Sequence, residues 1–215
     1  MRGVTSPRFE RFAPLTGVLF LLFAIAAFSI EGDPPAGDAS LAEVVDFWSD
    51  NDSENVAAAI LGAYAAVLFL WFAGCVRANI ACAERPGGRL ASTAMAGAAV
   101  FAAGILVNQA LQVIAADTVG DVAPEVTQTL NALYDGMYFP LAGGLAVFLL
   151  ASGLGAVRHA AFDPWLGWIA IAIGVICLTP AGVIGFLAGL GWVGLAGVVL
   201  YRKAAAALDG PASPA

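Results

Sequence analysis

Apolar segments of about 20 residues recur along the chain, and most of them end at a short group of charged residues. A helix of about 20 residues crosses the roughly 30 Å hydrocarbon core of a bilayer, where backbone N–H and C=O groups must pair within the protein. Only 12% of the 215 residues are charged, whereas soluble domains carry about 25%. The sequence therefore predicts an all-α, polytopic integral membrane protein.

The segments predict a bundle of six transmembrane helices over residues 1–203 and a disordered cytoplasmic tail over residues 204–215. A basic start makes the first segment resemble a signal peptide, but it lacks a small-residue cleavage site and is longer than a usual h-region. The last apolar run would be about 55 Å long as one helix, and Pro180 with Gly182 divides it. The predicted spans are residues 13–30, 56–76, 93–116, 136–157, 165–179 and 182–201.

Charged residues separate onto the two sides of this topology. With six spans, all nine lysines and arginines lie on the side of the termini, and 12 of the 16 acidic residues lie on the other side. Because cytoplasmic loops are enriched in Lys and Arg, we expect a plasma-membrane protein with both termini in the cytoplasm. Eight of the nine basic residues are arginines, which, with abundant alanine and glycine, indicates a GC-rich bacterial source.

The first extracytoplasmic loop, residues 31–55, holds eight acidic residues and no basic one. Ser40 followed by Glu43 has the spacing of a capping box at a helix start. Apolar residues then recur at helical spacing, which predicts a short amphipathic helix at the membrane surface. These apolar residues are Leu41, Val44, Val45 and Trp48.

Part of this loop, Asp50 to Glu54, resembles the start of an EF-hand calcium loop. An EF-hand requires glycine at its sixth position and glutamate at its twelfth, and this chain has Asn55 and Leu61 there. A solvated acidic face is therefore the favoured interpretation, with divalent-cation binding as the alternative.

Polar side chains inside the third and fourth spans form one candidate site. Asn108, Gln109 and Gln112 lie on one face of the third span, and amides at that depth are costly without partners. Asn131, Asp135 and Tyr138 share a face at the start of the fourth span, and Tyr64 of the second span is placed to join them.

Pro140 lacks an N–H group, so the carbonyl of Gly136 is predicted to lose its helical partner beside Asp135. Transporters build ligand sites from interrupted helices of this kind, and this interpretation gives an outward-opening cavity for a cation, a proton or a small polar solute. The alternative is that the amides only bridge helices and that Asp135 lies exposed at the interface.

Residues for catalysis or cofactor binding are scarce. His159 is the single histidine, and no HExxH, Walker A or GxSxG motif occurs. The three cysteines, Cys75, Cys82 and Cys177, have no zinc or redox spacing. We therefore expect no enzyme activity, no cofactor, no metal and no nucleic-acid partner.

The layout resembles an uncharacterised family of small six-span bacterial membrane proteins that is known only as a domain of unknown function. The first span leads into an acidic loop that begins at Gly32, Asp33 and Pro34, and Pro164 to Trp168 opens a final apolar hairpin. This resemblance implies a fold but no activity.

We expect the protein to contact the lipid bilayer. Two hypotheses for its function follow. The first is transport or sensing of a small solute or ion through the polar cavity. The second is a non-catalytic accessory protein that binds other membrane proteins. Gly185-x-x-x-Gly189 in the last span fits packing within the bundle or contact with a second copy.

Overall fold

Helices account for all regular structure in the computed structural model, which describes residues 11–209. A 3-10 turn, Ala13–Leu15, precedes the first α-helix. The α-helices are α1 Thr16–Glu31, α2 Leu41–Asp50, α3 Asp52–Ala83, α4 Leu90–Thr118, α5 Pro124–Gly136, α6 Tyr138–His159, α7 Pro164–Ile176 and α8 Gly182–Asp209.

Five segments of this fold are long and apolar enough to cross a membrane. They are Ala13–Glu31, Asp52–Ala83, Leu90–Thr118, Pro124–His159 and Gly182–Ala206. The segment predicted as the fifth of six spans, residues 165–179, forms the 13-residue helix α7, which is about 20 Å long at 1.5 Å per residue. The chain is thus all-α with five candidate membrane-spanning helices, and α7 is a shorter apolar helix beside them.

Aromatic side chains fill the centre of the bundle around α6. The ring of Phe69 in α3 lies 4.8 Å from that of Phe101 in α4 and 5.1 Å from that of Phe148 in α6, centroid to centroid. Both pairs meet edge to face, the arrangement that the charge distribution of aromatic rings favours. All three side chains are fully buried, so they fix how α3, α4 and α6 pack.

Helices α4 and α6 approach each other at paired glycines. A Cβ atom on Gly97 would lie 2.5 Å from the backbone nitrogen of Phe148, and one on Gly144 would lie 2.5 Å from that of Phe101. Since lipid provides no hydrophobic force between helices, such close backbone contact is a main source of association energy.

The predicted break in the last apolar run is present, because α7 ends at Ile176 and α8 begins at Gly182. Helix α8 then folds back along α7. Trp192 Nε1 donates a hydrogen bond to the Leu166 carbonyl at 3.0 Å, and Lys203 Nζ lies 2.9 Å from Asp163 Oδ1.

The GxxxG residues of α8 face into the bundle. A Cβ on Gly185 would lie 2.6 Å from the nitrogen of Cys177, and one on Gly189 would lie 2.8 Å from Leu145 Cδ2. Of the two interpretations of this motif, the structure therefore shows the packing contact within the chain.

Helices α2 and α5 form a cap over one end of the bundle, which we call the capped end. Ser40 Oγ accepts a 3.4 Å hydrogen bond from the backbone N–H of Glu43 at the start of α2. Val44 and Trp48 are buried in a cluster with α5 and the end of α4. Protein therefore covers the part of the α2 apolar face that was predicted to lie against lipid.

The opposite end, which we call the terminal end, holds the described ends of the chain. The rings of Phe12 and Tyr201 stack with centroids 5.9 Å apart. Helix α8 continues to Asp209, so the predicted disordered tail is helical over residues 204–209. Residues 1–10 and 210–215 lie outside the described residues.

Candidate functional site

A cavity of about 220 Å³ lies near the capped end. Helices α1, α3, α4, α6 and α8 enclose it, and the last turn of α5 closes one side. Its lining is mostly apolar, with a few polar side chains, as in most small-molecule sites. The apolar and aromatic residues are Phe20, Ala24, Ala27, Phe28, Ala65, Phe101, Ile105, Leu141, Phe186 and Leu190.

Four of the seven residues proposed from the sequence line this cavity: Asn108, Gln109, Asp135 and Tyr138. The other three, Gln112, Asn131 and Tyr64, lie outside it. The seven residues therefore do not form one cluster, and the three outside make different contacts.

Two polar atoms in the cavity wall are buried without a partner. Asn108 Oδ1 and Tyr138 Oη have no hydrogen bond within residues 11–209. A buried polar atom without a partner costs about 1–3 kcal/mol. A ligand that donates to the Asn108 oxygen and contacts the Tyr138 hydroxyl would remove this cost.

Gln109 extends across α3 at a glycine. A Cβ on Gly62 would lie 2.5 Å from Gln109 Cδ, so only glycine leaves room for this amide. The packing holds Gln109 beside Asn108 in the wall of the cavity.

Glu31 is a cavity residue that the sequence interpretation did not select. It ends α1 and is 8% exposed, and Tyr134 Oη donates a hydrogen bond to its Oε1. Within the described part of the chain, the single ion pair is Lys203 with Asp163, so Glu31 has no cationic partner there. Its position directly after an apolar run was the available sequence signal.

Asp135 is exposed at the edge of the cavity. Its Oδ2 accepts a hydrogen bond from the backbone N–H of Gly37 at 3.2 Å. A Cβ on Gly37 would lie 2.9 Å from the same oxygen. The carboxylate therefore joins the segment that follows α1 to the end of α5.

One face of α5 holds this segment in place. Asn131 Nδ2 donates to the carbonyls of Pro35 and Ala36 at 3.1 and 3.2 Å, and Gln128 Nε2 donates to that of Ala39 at 3.2 Å. Asn131 Oδ1 also accepts from Trp48 Nε1 at 3.1 Å. Asn131 thus tethers the cap and does not face the cavity.

Gln112 joins two helices. Its Nε2 donates a 3.1 Å hydrogen bond to Asn55 Oδ1 in α3, and both residues are fully buried. This contact matches the alternative in which an intramembrane amide bridges helices.

Tyr64 is 58% exposed on the outside of the bundle. Its ring lies edge-on to Phe23, with centroids 6.2 Å apart. The side chain therefore faces the surroundings of the protein.

Metal-ligating side chains are not clustered in the structure. Residues 11–209 contain no group of three or more His, Cys, Asp or Glu side chains placed to hold a metal ion. The acidic residues Asp50 to Glu54 lie across the end of α2 and the start of α3.

Comparison with protein-family models, with curated proteins and with solved structures finds no match. The residues that line the cavity define its chemistry. Among residues 11–209, two carboxylates, two amides and two phenol groups line the cavity, and no basic side chain does. This set of groups favours a cationic or hydrogen-bond-donating ligand over an anion.

Proposed function

We propose that the chain is a six-span plasma-membrane protein whose outward-opening cavity at the capped end binds a small cation or polar solute, for transport or sensing. One observation carries the proposal. The buried carboxylate of Glu31 shares a cavity with the unpartnered atoms Asn108 Oδ1 and Tyr138 Oη. Ionisable groups at membrane depth are costly and usually functional.

The arrangement of charge supports an outward-facing capped end. Eight acidic residues of the sequence lie in residues 31–55, which join α1 to α3 at that end. The described basic residues lie toward the terminal end: Arg11, Arg77, Arg85, Arg89, Arg158, Arg202 and Lys203. Since Lys and Arg concentrate in cytoplasmic loops, we propose that the terminal end is cytoplasmic.

The contacts of α7 support a sixth crossing despite its length. A Cβ on Gly167 would lie 2.6 Å from Ala156 Cβ near the end of α6, and one on Gly174 would lie 2.9 Å from Leu150 Cγ. At the turn that follows, a Cβ on Gly182 would clash with Tyr138 Oη at the start of α6. The hairpin therefore extends along most of α6, and a crossing by α7 keeps both termini on one side.

The size of the cavity limits the ligand. A volume of about 220 Å³ lies below the roughly 300–1,000 Å³ of sites for drug-sized ligands, so a small ligand fits best. Aromatic rings on several sides would stabilise an organic cation through cation–π attraction. A small ammonium compound therefore fits the lining best.

The proposal is one of binding rather than catalysis. Carboxylates, amides and phenols supply the polar groups that the described residues contribute to the cavity, and these groups suit the binding of a donor or a cation.

Thermal unfolding of the full chain in lipid nanodiscs tests this proposal. The probes are methylammonium, tetramethylammonium and sodium chlorides at one ionic strength, with acetamide as a neutral polar probe. A ligand that binds the folded state raises its stability, so we expect at least one ammonium probe to raise the unfolding midpoint.

Asp135→Asn and Asn108→Leu should each weaken this stabilisation without reducing protein abundance. Asp121→Asn is the matched control, since Asp121 is an exposed carboxylate at the same end and outside the cavity. The proposal fails if no probe stabilises the wild type, or if both cavity variants respond as the wild type does.

The alternative is an accessory role in which the acidic cap binds another membrane protein. Glu43, Asp46 and Asp50 are exposed on α2 while Val44 and Trp48 are buried, so a ready-made acidic surface faces outward. Replacing the three acids with their amides should then remove a co-purifying partner. Retention of every partner would count against this role.

A further inference from the structure

A second and larger cavity lies at the terminal end. It has a volume of about 960 Å³ and lies between the 3-10 turn that precedes α1, the second half of α3, the loop after α6 and the end of α8. We propose that this groove binds one anionic phospholipid of the cytoplasmic leaflet, with its phosphate at Arg11 and Lys203 and an acyl chain along α3. This proposal is independent of the ligand in the other cavity.

The groove opens toward the membrane. Trp71 in its wall is 67% exposed and belongs to the candidate span Asp52–Ala83. Along α3 the groove extends from Leu70 to Asn79, about 14 Å at 1.5 Å per residue. A wall of this length at the lipid-facing surface suits a hydrocarbon chain.

Charge is concentrated at one end of the groove. Arg11 and Lys203 both line it, at the end of the bundle where Phe12 stacks on Tyr201. Most of the remaining wall is apolar. A basic pocket between membrane helices on the cytoplasmic side is the arrangement that binds anionic lipid headgroups.

Arg11 has hydrogen-bonding capacity to spare. Its Nε is buried and has no partner within the described range 11–209, and its guanidinium lies 4.5 Å from the centroid of the Phe12 ring. Arginine forms paired hydrogen bonds to phosphate oxygens. Lys203, half exposed and paired with Asp163, would supply a second positive charge.

Gly74 is a position at which a larger side chain would fill part of the groove. A Cβ built on Gly74 meets nothing within 4 Å, and Gly74 lies in the groove wall. The Cβ of a leucine at this position would therefore have room, and its side chain would extend into the space assigned to the acyl chain. Gly191 in α8 is equally unobstructed and lies outside the groove, so Gly191→Leu is the matched control.

Native mass spectrometry of the full chain in detergent tests the site. The probes are phosphatidylglycerol and phosphatidylcholine with identical acyl chains. Each basic residue near the surface contributes about 1 kcal/mol toward an anionic lipid, or about fivefold in affinity. We expect one phosphatidylglycerol per chain, and about thirty-fold weaker retention after Arg11→Gln with Lys203→Gln.

Three controls make the result specific. Arg85→Gln with Arg89→Gln removes two exposed charges outside the groove and should leave retention unchanged. Gly74→Leu should reduce retention of both lipids, whereas Gly191→Leu should not. Glycerol phosphate, a soluble headgroup, should not displace the bound lipid.

The proposal is overturned if phosphatidylglycerol and phosphatidylcholine bind alike, if Gly74→Leu retains lipid as the wild type does, or if glycerol phosphate displaces it. A dimer mass that Gly74→Leu abolishes would also contradict it, because a second copy of the chain would then occupy the groove. Size-exclusion profiles of all variants show whether each remains folded.

Discussion

The two cavities lie at opposite ends of the bundle and differ in charge and in closure. The one at the capped end is lined by Glu31 and Asp135, and a cap tied down by hydrogen bonds covers it except at the edge where Asp135 is exposed. The groove at the terminal end is lined by Arg11 and Lys203 and opens beside the exposed Trp71. A net charge of −7 conceals this separation, which suits the two ends to ligands of opposite sign.

The two cavities differ in how far protein covers them, and the difference has a physical reason. The segment between α1 and α2 has few apolar side chains to bury, and α5 holds its backbone carbonyls through Asn131 and Gln128. At the terminal end, apolar side chains such as Leu70 line an open groove that lipid can cover. This difference supports the polar ligand proposed for the capped end and the lipid proposed for the terminal end.

The largest expected effect is on cation binding at the capped end. Glu31→Gln keeps the side-chain shape and an acceptor for Tyr134 but removes the buried charge. Losing one partner of a buried charge pair costs about 2–5 kcal/mol, so we expect affinity for the best ammonium probe to fall at least roughly thirty-fold. Isothermal titration calorimetry in nanodiscs measures this.

Two controls sharpen that comparison. Asp38→Asn removes an exposed carboxylate near the cap that does not line the cavity, and Arg11→Gln with Lys203→Gln changes only the terminal end. Both should leave ammonium affinity within about twofold of the wild-type value. A Glu31→Gln protein with wild-type affinity would remove Glu31 from the site.

The second effect is on the cap itself. Asn131→Leu leaves Trp48 Nε1 without its acceptor and removes two bonds to the loop backbone. A buried donor left unpaired costs about 1–3 kcal/mol. Hydrogen exchange should accelerate over residues 32–50, while α6 and α8 exchange as before.

Thr129→Ala is the matched control for the cap. Thr129 is exposed on the same helix, and its hydroxyl donates a hydrogen bond to the Glu125 carbonyl one turn earlier. Exchange over residues 32–50 should stay unchanged in this variant. Equal protection in Asn131→Leu and wild type would mean that Asn131 does not tether the cap.

The smallest effect is on the ion pair at the terminal end. Lys203 and Asp163 are 51% and 30% exposed, and exposed pairs contribute about 0–1 kcal/mol. Lys203→Gln should therefore lower the free energy of unfolding by less than about 1 kcal/mol, as measured by denaturant unfolding in micelles. A larger loss, not restored by Lys203→Arg, would give this pair a structural role.

The helices follow from sequence because apolar length and the break at Pro180 are local properties. Which neighbouring element covers the apolar face of each helix does not follow from the sequence. The spacing of α2 identified an apolar face, but lipid and protein cover such a face equally well, and here α5 covers Val44 and Trp48. The resemblance to a six-span family remains a prediction, as does the crossing by α7.

The candidate site was only partly predictable for the same reason. Asn108 and Gln112 share one helical face, yet Asn55 of α3 pairs with Gln112 while Asn108 faces the cavity. Helical spacing specifies which residues share a face of the helix. It does not specify which residue of a neighbouring helix each of them contacts. Glu31 follows an apolar span and precedes an acidic loop, and its burial depends on Tyr134, more than 100 residues later.

Cysteine accessibility tests the central claim, that the polar cavity opens to the outside. In a background with Cys75, Cys82 and Cys177 replaced by alanine, Asn108→Cys and Gln112→Cys are exposed separately to a membrane-impermeant maleimide on intact cells. We predict that Asn108→Cys is labelled from outside and that Gln112→Cys, fully buried against Asn55, is not. Failure to label Asn108→Cys, or labelling only in inverted vesicles, would contradict the account.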